Sequence, residues 1–195
     1  MQIKAQGLLN AAKWIEEEYG RDALREVLHA CSAGVRERYT SIIAIDWHPA
    51  EEFIEFVQQA EKILGAGHAQ GRIAEAIGAA GARANMKGTL VRIAMWISRP
   101  EALMQRAAGL WRQFNDDGHM ELKHLGEKLA RFELARIKGL DPIFCAVVTG
   151  WCREVAIAVG AVAPQAKHVA CVWRGEAVCA WEVRFARVEP KSPKV

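Results

Sequence analysis

The order of local signals after residue 115 constrains the fold more than any other feature of this chain. NDDG (115–118) is a turn signal. HMELKHLG and EKLARFELARIKG (119–139) read as two strands turning at Gly126, with Phe132, Leu134 and Arg136 on one parity and Arg131, Glu133 and Ala135 on the other. Asp141 is an N-cap residue and Pro142 suits a first helical position, so a helix opens there. It runs through Ile143, Cys145, Val148, Cys152, Val155 and Val159 to Gly160. Residues 168–185, HVACVWRGEAVCAWEVRF, then form a second hairpin around Gly175. Strand, strand, helix, strand, strand fits an antiparallel four-stranded sheet with one helix on its face.

The first part is helical. Residues 5–19 and 21–31 carry apolar side chains at helical spacing (Leu8, Leu9, Ala12, Ile15; then Leu24, Val27, Leu28). YTSIIAIDW (39–47) reads as a short strand or a buried turn. Pro49 stands just inside the start of the next helix, which aligns Phe53, Phe56, Val57, Ala60 and Leu64 on one face. The Ala/Gly-rich stretch that follows suggests close helix packing, and Ser98 and Pro100 open a further helix running to about Phe114. The expected class is α+β: N-terminal helices packed on a C-terminal antiparallel four-stranded sheet, with a helix inserted between strands two and three. Residues 1–114 form the helical part and 115–188 the α+β part of one compact unit, and 189–195 reads as a disordered tail.

An apolar fraction of 51% supports a sizeable core, and a net charge of +3 with interspersed signs gives no basic block for nucleic acid. No stretch approaches the roughly 18 apolar residues of a membrane span. The acidic run Glu16–Glu18 argues against a signal peptide, and an odd set of five cysteines argues against a disulfide framework. A cytoplasmic protein with reduced thiols is expected.

The hairpin register that pairs Trp173 with Ala177 puts Cys171 opposite Cys179. Opposed Cβ atoms lie about 4.5–5.5 Å apart, close enough for two thiolates to share a tetrahedral ion. His168 can fold back to the same point, and Cys145, in the first turn of its helix, can supply a fourth ligand from a terminus that favours thiolate. Cys152 lies two turns on, about 10.5 Å along the axis, too far to share that ion. Cys31 reads as core. The opposing reading is a plain core face, because Val169, Cys171 and Trp173 alternate as one would.

The stretch Gly139–Phe185 resembles the 4-vinyl reductase-type domain, a small-molecule-binding module related to H-NOX-like and TRAPP folds. Cys145, Cys171, Gly175, Cys179 and Trp181-Glu182 carry the resemblance. It implies a structural zinc. Phenol-responsive sensors of this type hold one with a helix cysteine, two hairpin cysteines and an acidic residue three positions before the first hairpin cysteine. The intervals of 26 and eight residues match, while His168 stands in place of the acid. The helical part is similar to uncharacterised myxobacterial-type proteins through Tyr19-Gly20 and the run Trp47, Pro49, Phe53. Relatives of the hairpin also include hydrolases acting on a thiazoline carboxylate.

Heme, which H-NOX relatives bind, is disfavoured here. Neither Tyr19 nor Tyr39 heads a Tyr-x-Ser-x-Arg clamp. His48 reads as part of a cap or turn, and His68, His119 and His124 as solvated. Trp96, Trp111, Phe114, Phe132, Phe144 and Trp151 are candidates to line an apolar pocket between helices and sheet, suited to an apolar or aromatic small molecule. The expected function is a bacterial small-molecule-binding or sensory module. Cys145, His168, Cys171 and Cys179 would hold zinc, and the signal would pass through a homodimer or to a partner protein. A small metal- or thiol-dependent hydrolase or reductase-like enzyme, and a ligand-free dimeric scaffold, are the alternatives.

Overall fold

Asp141 caps its helix as its sequence implies: Ile143 N–H donates to the Asp141 carboxylate at 2.8 Å, and Pro142 opens that helix. The computed structural model describes residues 1–86, 108–137 and 141–189. Within these, α1 (Gln6–Ala30), α2 (Ala33–Ser41), α3 (Ala50–Leu64), α4 (Arg72–Asn85) and the short α5 (Trp111–Phe114) precede α6 (Pro142–Ala158). The helical stretches 5–19 and 21–31 join in one kinked α1, bent at Gly20 with φ +88°, a conformation that favours glycine. Helix α4 starts where the α3 carboxylate of Glu61 accepts hydrogen bonds from Gly71 N (2.8 Å) and Ala74 N (3.0 Å). That satisfies orphan donors at a helix start and places negative charge at the positive end of the helix dipole. None of the described helices is long and apolar enough to cross a membrane.

The Ala/Gly-rich stretch packs closely, as its small residues imply. A Cβ added at Gly78 of α4 would come 1.8 Å from the Val147 carbonyl oxygen, and one at Gly150 of α6 would come 1.8 Å from that of Glu75. The two helices therefore touch backbone to backbone. Arg83 pairs with Glu154 at 3.0 Å and Arg153 with Glu75 at 3.4 Å across the same seam. The helix expected from Ser98 lies outside the described residues up to 107.

Strands β3 (His119–Leu125), β4 (Leu129–Ala135), β5 (Gln165–Ala170) and β6 (Cys179–Arg184) form one antiparallel sheet in the order β3-β4-β6-β5. Ala130, Phe132 and Leu134 are buried. Arg136 does not continue that face: it is exposed, with φ +56°, where the strand has ended. The N-terminal helices pack on the sheet, and one apolar core draws on Leu8, Phe56, Ile73, Phe132, Val148 and Trp181.

A further two-stranded ribbon escaped the sequence reading. β1 (Gln2–Lys4) pairs with β2 (Trp47–Pro49), with Ile3 opposite His48. Residues 39–41 end α2 instead of beginning a strand, and Ile43 and Ile45 are exposed, so 42–46 is not a buried turn. Three-residue strands are too short for periodicity to reveal. At the other end, Glu189 is tied down, its N–H donating to Gly160 O at 2.9 Å, although composition placed it in a free tail.

Candidate metal centre

The second hairpin is shorter than expected. Val172–Arg174 form a 3₁₀ turn closed by Gly175 at φ +88°, so Trp173 and Ala177 do not pair, and Trp173 is 55% exposed instead of facing the core. The ladder ends at the Ala170–Ala180 pair, and Cys171 and Cys179 follow just beyond it with their sulfurs within 4.8 Å of each other. Glu176 closes the loop by accepting the Cys171 N–H at 2.8 Å.

His168 reaches the cysteines through a bulge. In an unbroken strand, residues 168 and 171 would point to opposite faces. The ladder instead shifts register between His168 and Ala170, leaving Val169 as the extra residue. A bulge of this kind reverses the alternation beyond it. His168, opposite Trp181, and Cys171, beside Cys179, thus share the face that looks at α6. The His168 ring stacks on Trp181 with centroids 4.9 Å apart and planes 21° from parallel. Trp181 in turn donates its indole N–H to Thr149 Oγ1 (3.0 Å) and the Cys145 carbonyl (3.2 Å), which fixes sheet to helix at this point.

Cys145, His168, Cys171 and Cys179 each offer a ligand atom, and all four atoms lie within 4.8 Å of one another. Cys145 Sγ and Cys179 Sγ are 3.9 Å apart. Two sulfurs bound to one tetrahedral zinc at about 2.3 Å would be roughly 3.8 Å apart. The three cysteines are buried, and His168 Nε2 is buried with no hydrogen-bond partner among the described residues. An unpaired buried nitrogen beside three sulfurs is costly unless something occupies its lone pair or takes its proton.

Without an ion, protonation divides unevenly. The Cys145 and Cys179 sulfurs share a hydrogen bond in which either can be the donor; with burial it pushes the Cys145 pKa well up, and the same contact pushes that of Cys179 down. The sequence placed the favoured thiolate at Cys145 by virtue of the helix N-terminus. The contact between the two sulfurs instead favours the thiolate at Cys179.

The remaining candidates separate. Cys152 is fully buried, and burial raises its pKa. Cys31 is buried with its thiol donating to Val27 O at 3.2 Å, and burial and Glu55 push its pKa up to about 11. Both behave as core. His29, His68, His119 and His124 are exposed. His48 is a buried strand residue instead of a cap, its Nδ1 3.2 Å from Glu52 and its Nε2 without a partner among the described residues.

A second feature lies between the helices. A cavity of about 120 Å³ is lined by Trp111, Phe114, Phe144 and Trp151 among the aromatic candidates, joined by Phe53. Phe132 is fully buried opposite Trp181 in the sheet and does not line it, and Trp96 falls outside the described residues. Ile3, Lys4, Gly7 and Asn10 also line the cavity, through the N-terminal ribbon and α1. No motif announced them; the β1–β2 pairing brings them in.

No protein-family model matches the chain, and no curated protein does. Solved structures do. A mutant of an H-NOX protein from S. oneidensis in the Fe(II) ligation state superposes with a TM-score of 0.72 at 13% identity, over 96% of this chain and 98% of that one. The fold is that of H-NOX domains. The Fe(II) unliganded H-NOX protein from K. algicida gives 0.67 at 6% identity, with 99% of both chains covered. Two further similar structures come from work on modulating heme redox potential through porphyrin distortion and on heme distortion in the H-NOX family.

Proposed function

We propose that this chain is a small-molecule-binding sensory module of H-NOX fold in which one zinc ion pins the C-terminal hairpin to α6. The observation that carries the reading is the convergence of Cys145, His168, Cys171 and Cys179 donor atoms within 4.8 Å, with a histidine nitrogen left unpaired among them. Three thiolates and one imidazole are a zinc donor set, and four protein ligands make a closed structural site with no position for substrate or water. The ion's part is to draw the hairpin and helix together. The intervals of 26 and eight residues between the cysteines support the 4-vinyl reductase-type likeness, with His168 in place of a carboxylate.

Heme is the group the fold relatives suggest, and the residues do not fit it. Heme iron takes His, Cys or Tyr, or Met alongside His. None of the described residues lining the cavity is one of these types, and the sequence of residues 87–107 holds no His, Cys or Tyr. The one histidine near sulfur, His168, stacks on Trp181 in the cysteine cluster.

The test is thermal unfolding of the parent, of the parent stripped by a strong chelator, and of Cys171→Ser. Zinc binding energy is folding energy where the site forms only on folding. Loss of even about 4 kcal/mol would lower the Tm of a chain this size by about 8–16 °C. Unchanged melting in all three would refute the zinc reading.

A further inference from the structure

The turn between α2 and β2 carries its large apolar side chains outward. Ile43 is 57% exposed, Ile45 73% and Trp47 40%, all within five positions. Single apolar residues are ordinary on a surface, whereas a cluster of them marks a contact. The backbone beneath them is firmly held. Asp46 N–H donates to Ile43 O at 3.0 Å, and the Asp46 carboxylate accepts the Ile43 N–H at 3.0 Å. From the start of α1, Ala5 N donates to Asp46 O at 2.9 Å and Gln6 N to Ala44 O at 3.1 Å. Lys4 Nζ donates to Ile45 O at 2.6 Å and stands 4.1 Å from the Trp47 ring centroid, which ties Ile45 and Trp47 into one patch.

Every carbonyl from Ile43 to Asp46 therefore has a donor within the protein. The N–H groups of Ile43 and Asp46 are bonded too, and only those of Ala44 and Ile45 have no partner among the described residues. Loops usually stay in water because their backbone groups need it. One that enters a bilayer surface has to bring its hydrogen bonds with it. What this turn leaves over is donors, two N–H groups and an ammonium. The phosphate and ester oxygens at the head-group level of a phospholipid bilayer are acceptors. Tryptophan suits that level, and a lysine there lays its stem on apolar surface with its charge in water. A protein partner suits the patch less well: stable interfaces bury about 800 Å² on each side, and three partly exposed side chains fall well short of that.

We propose that the 43–47 turn is a peripheral contact for a phospholipid surface, with Ile43 and Ile45 entering the acyl boundary and Trp47 and Lys4 at head-group level. Asp46 and Glu51 flank the patch, so it has no basic excess and insertion holds the contact instead of charge. Three side chains hold no more tightly than one myristoyl chain, whose binding constant is about 10⁴ M⁻¹, and the contact is reversible.

The test is co-flotation of the full chain, purified with its metal, with neutral phosphatidylcholine vesicles at low and high salt. The parent should bind at both salts. Ile45→Glu should bind about tenfold or more weakly, since one isoleucine leaves the apolar phase. Trp173→Ser should bind as the parent does, although Trp173 is 55% exposed, because it lies on another hairpin. A parent that does not float overturns the proposal. So does flotation that requires anionic lipid and is abolished by salt, or flotation lost in Trp173→Ser and kept in Ile45→Glu. A parent that self-associates without lipid, with Ile45→Glu monomeric, assigns the patch to a second copy and overturns it as well. Should Ile45→Glu fail to fold, fluorescence quenching by brominated acyl chains decides: quenching in the parent that Trp47→Phe loses supports the contact, and equal quenching in both overturns it.

Discussion

Cys145 Sγ lies 3.9 Å from Cys179 Sγ although 34 positions separate them in the chain. One sits in the first turns of α6 and the other opens β6, so their contact fastens the helix to the centre of the sheet. The Trp181 indole reinforces that fastening two residues further along β6, by its bonds to Thr149 Oγ1 and Cys145 O.

Trp181→Phe keeps the aromatic bulk and removes the N–H. Thr149 Oγ1 already donates to Cys145 O at 2.8 Å, so that carbonyl retains a partner. A loss of about 1–2 kcal/mol is expected, read by urea unfolding. The same variant should bind zinc more weakly, since His168 loses part of the surface against which its ring is stacked.

The α4–α6 seam predicts opposite signs for glycine substitutions. Gly78→Ala and Gly150→Ala each drive a methyl into a carbonyl oxygen, and each should cost about 3 kcal/mol or more or prevent folding. Gly81→Ala, in the same α4 but with no atom of the described residues within 4 Å of the added carbon, should stabilise by about 0.5–1 kcal/mol. Urea midpoints of the three variants check this.

Burial lowers the pKa of His48 from its ordinary 6.5, against the opposing pull of Glu52 and with Arg38 nearby adding to the lowering. The unfolded chain therefore takes up that proton more readily than the folded one. The contribution to stability is full above about pH 6.5 and is lost as the pH falls through the folded pKa. The parent should thus lose more Tm than His48→Gln between about pH 7.5 and 5.5. Both carry the same metal ligands, so the difference between them isolates His48.

The sequence made much of this architecture legible, and the exceptions have physical causes. Asp141-Pro142 and the apolar spacing after it specify α6 almost to the residue, because capping and periodicity are local. The antiparallel four-stranded sheet with one inserted helix was legible in the order of local signals, while the strand order β3-β4-β6-β5 was not. The cysteines were legible as neighbours through the hairpin, although the ladder stops at Ala170 and Cys171 and Cys179 meet just beyond it. What could not be read was the bulge at Val169, which brings His168 to the right face: one unpaired residue leaves no periodic trace. The β1–β2 ribbon, buried His48 and the cavity wall of Ile3, Lys4, Gly7 and Asn10 depend on pairing across more than 40 residues, where local pattern carries no information.

The central claim is tested most directly by elemental analysis of protein purified without chelator, done on the parent, Cys179→Ser and Cys152→Ala. Cys152 is equally buried but outside the cluster, so it controls for general damage to the core. About one zinc per chain in the parent and in Cys152→Ala, with none in Cys179→Ser, is the predicted result. A metal-free parent that stays metal-free after incubation with zinc, or zinc retained at full stoichiometry by Cys179→Ser, would contradict it.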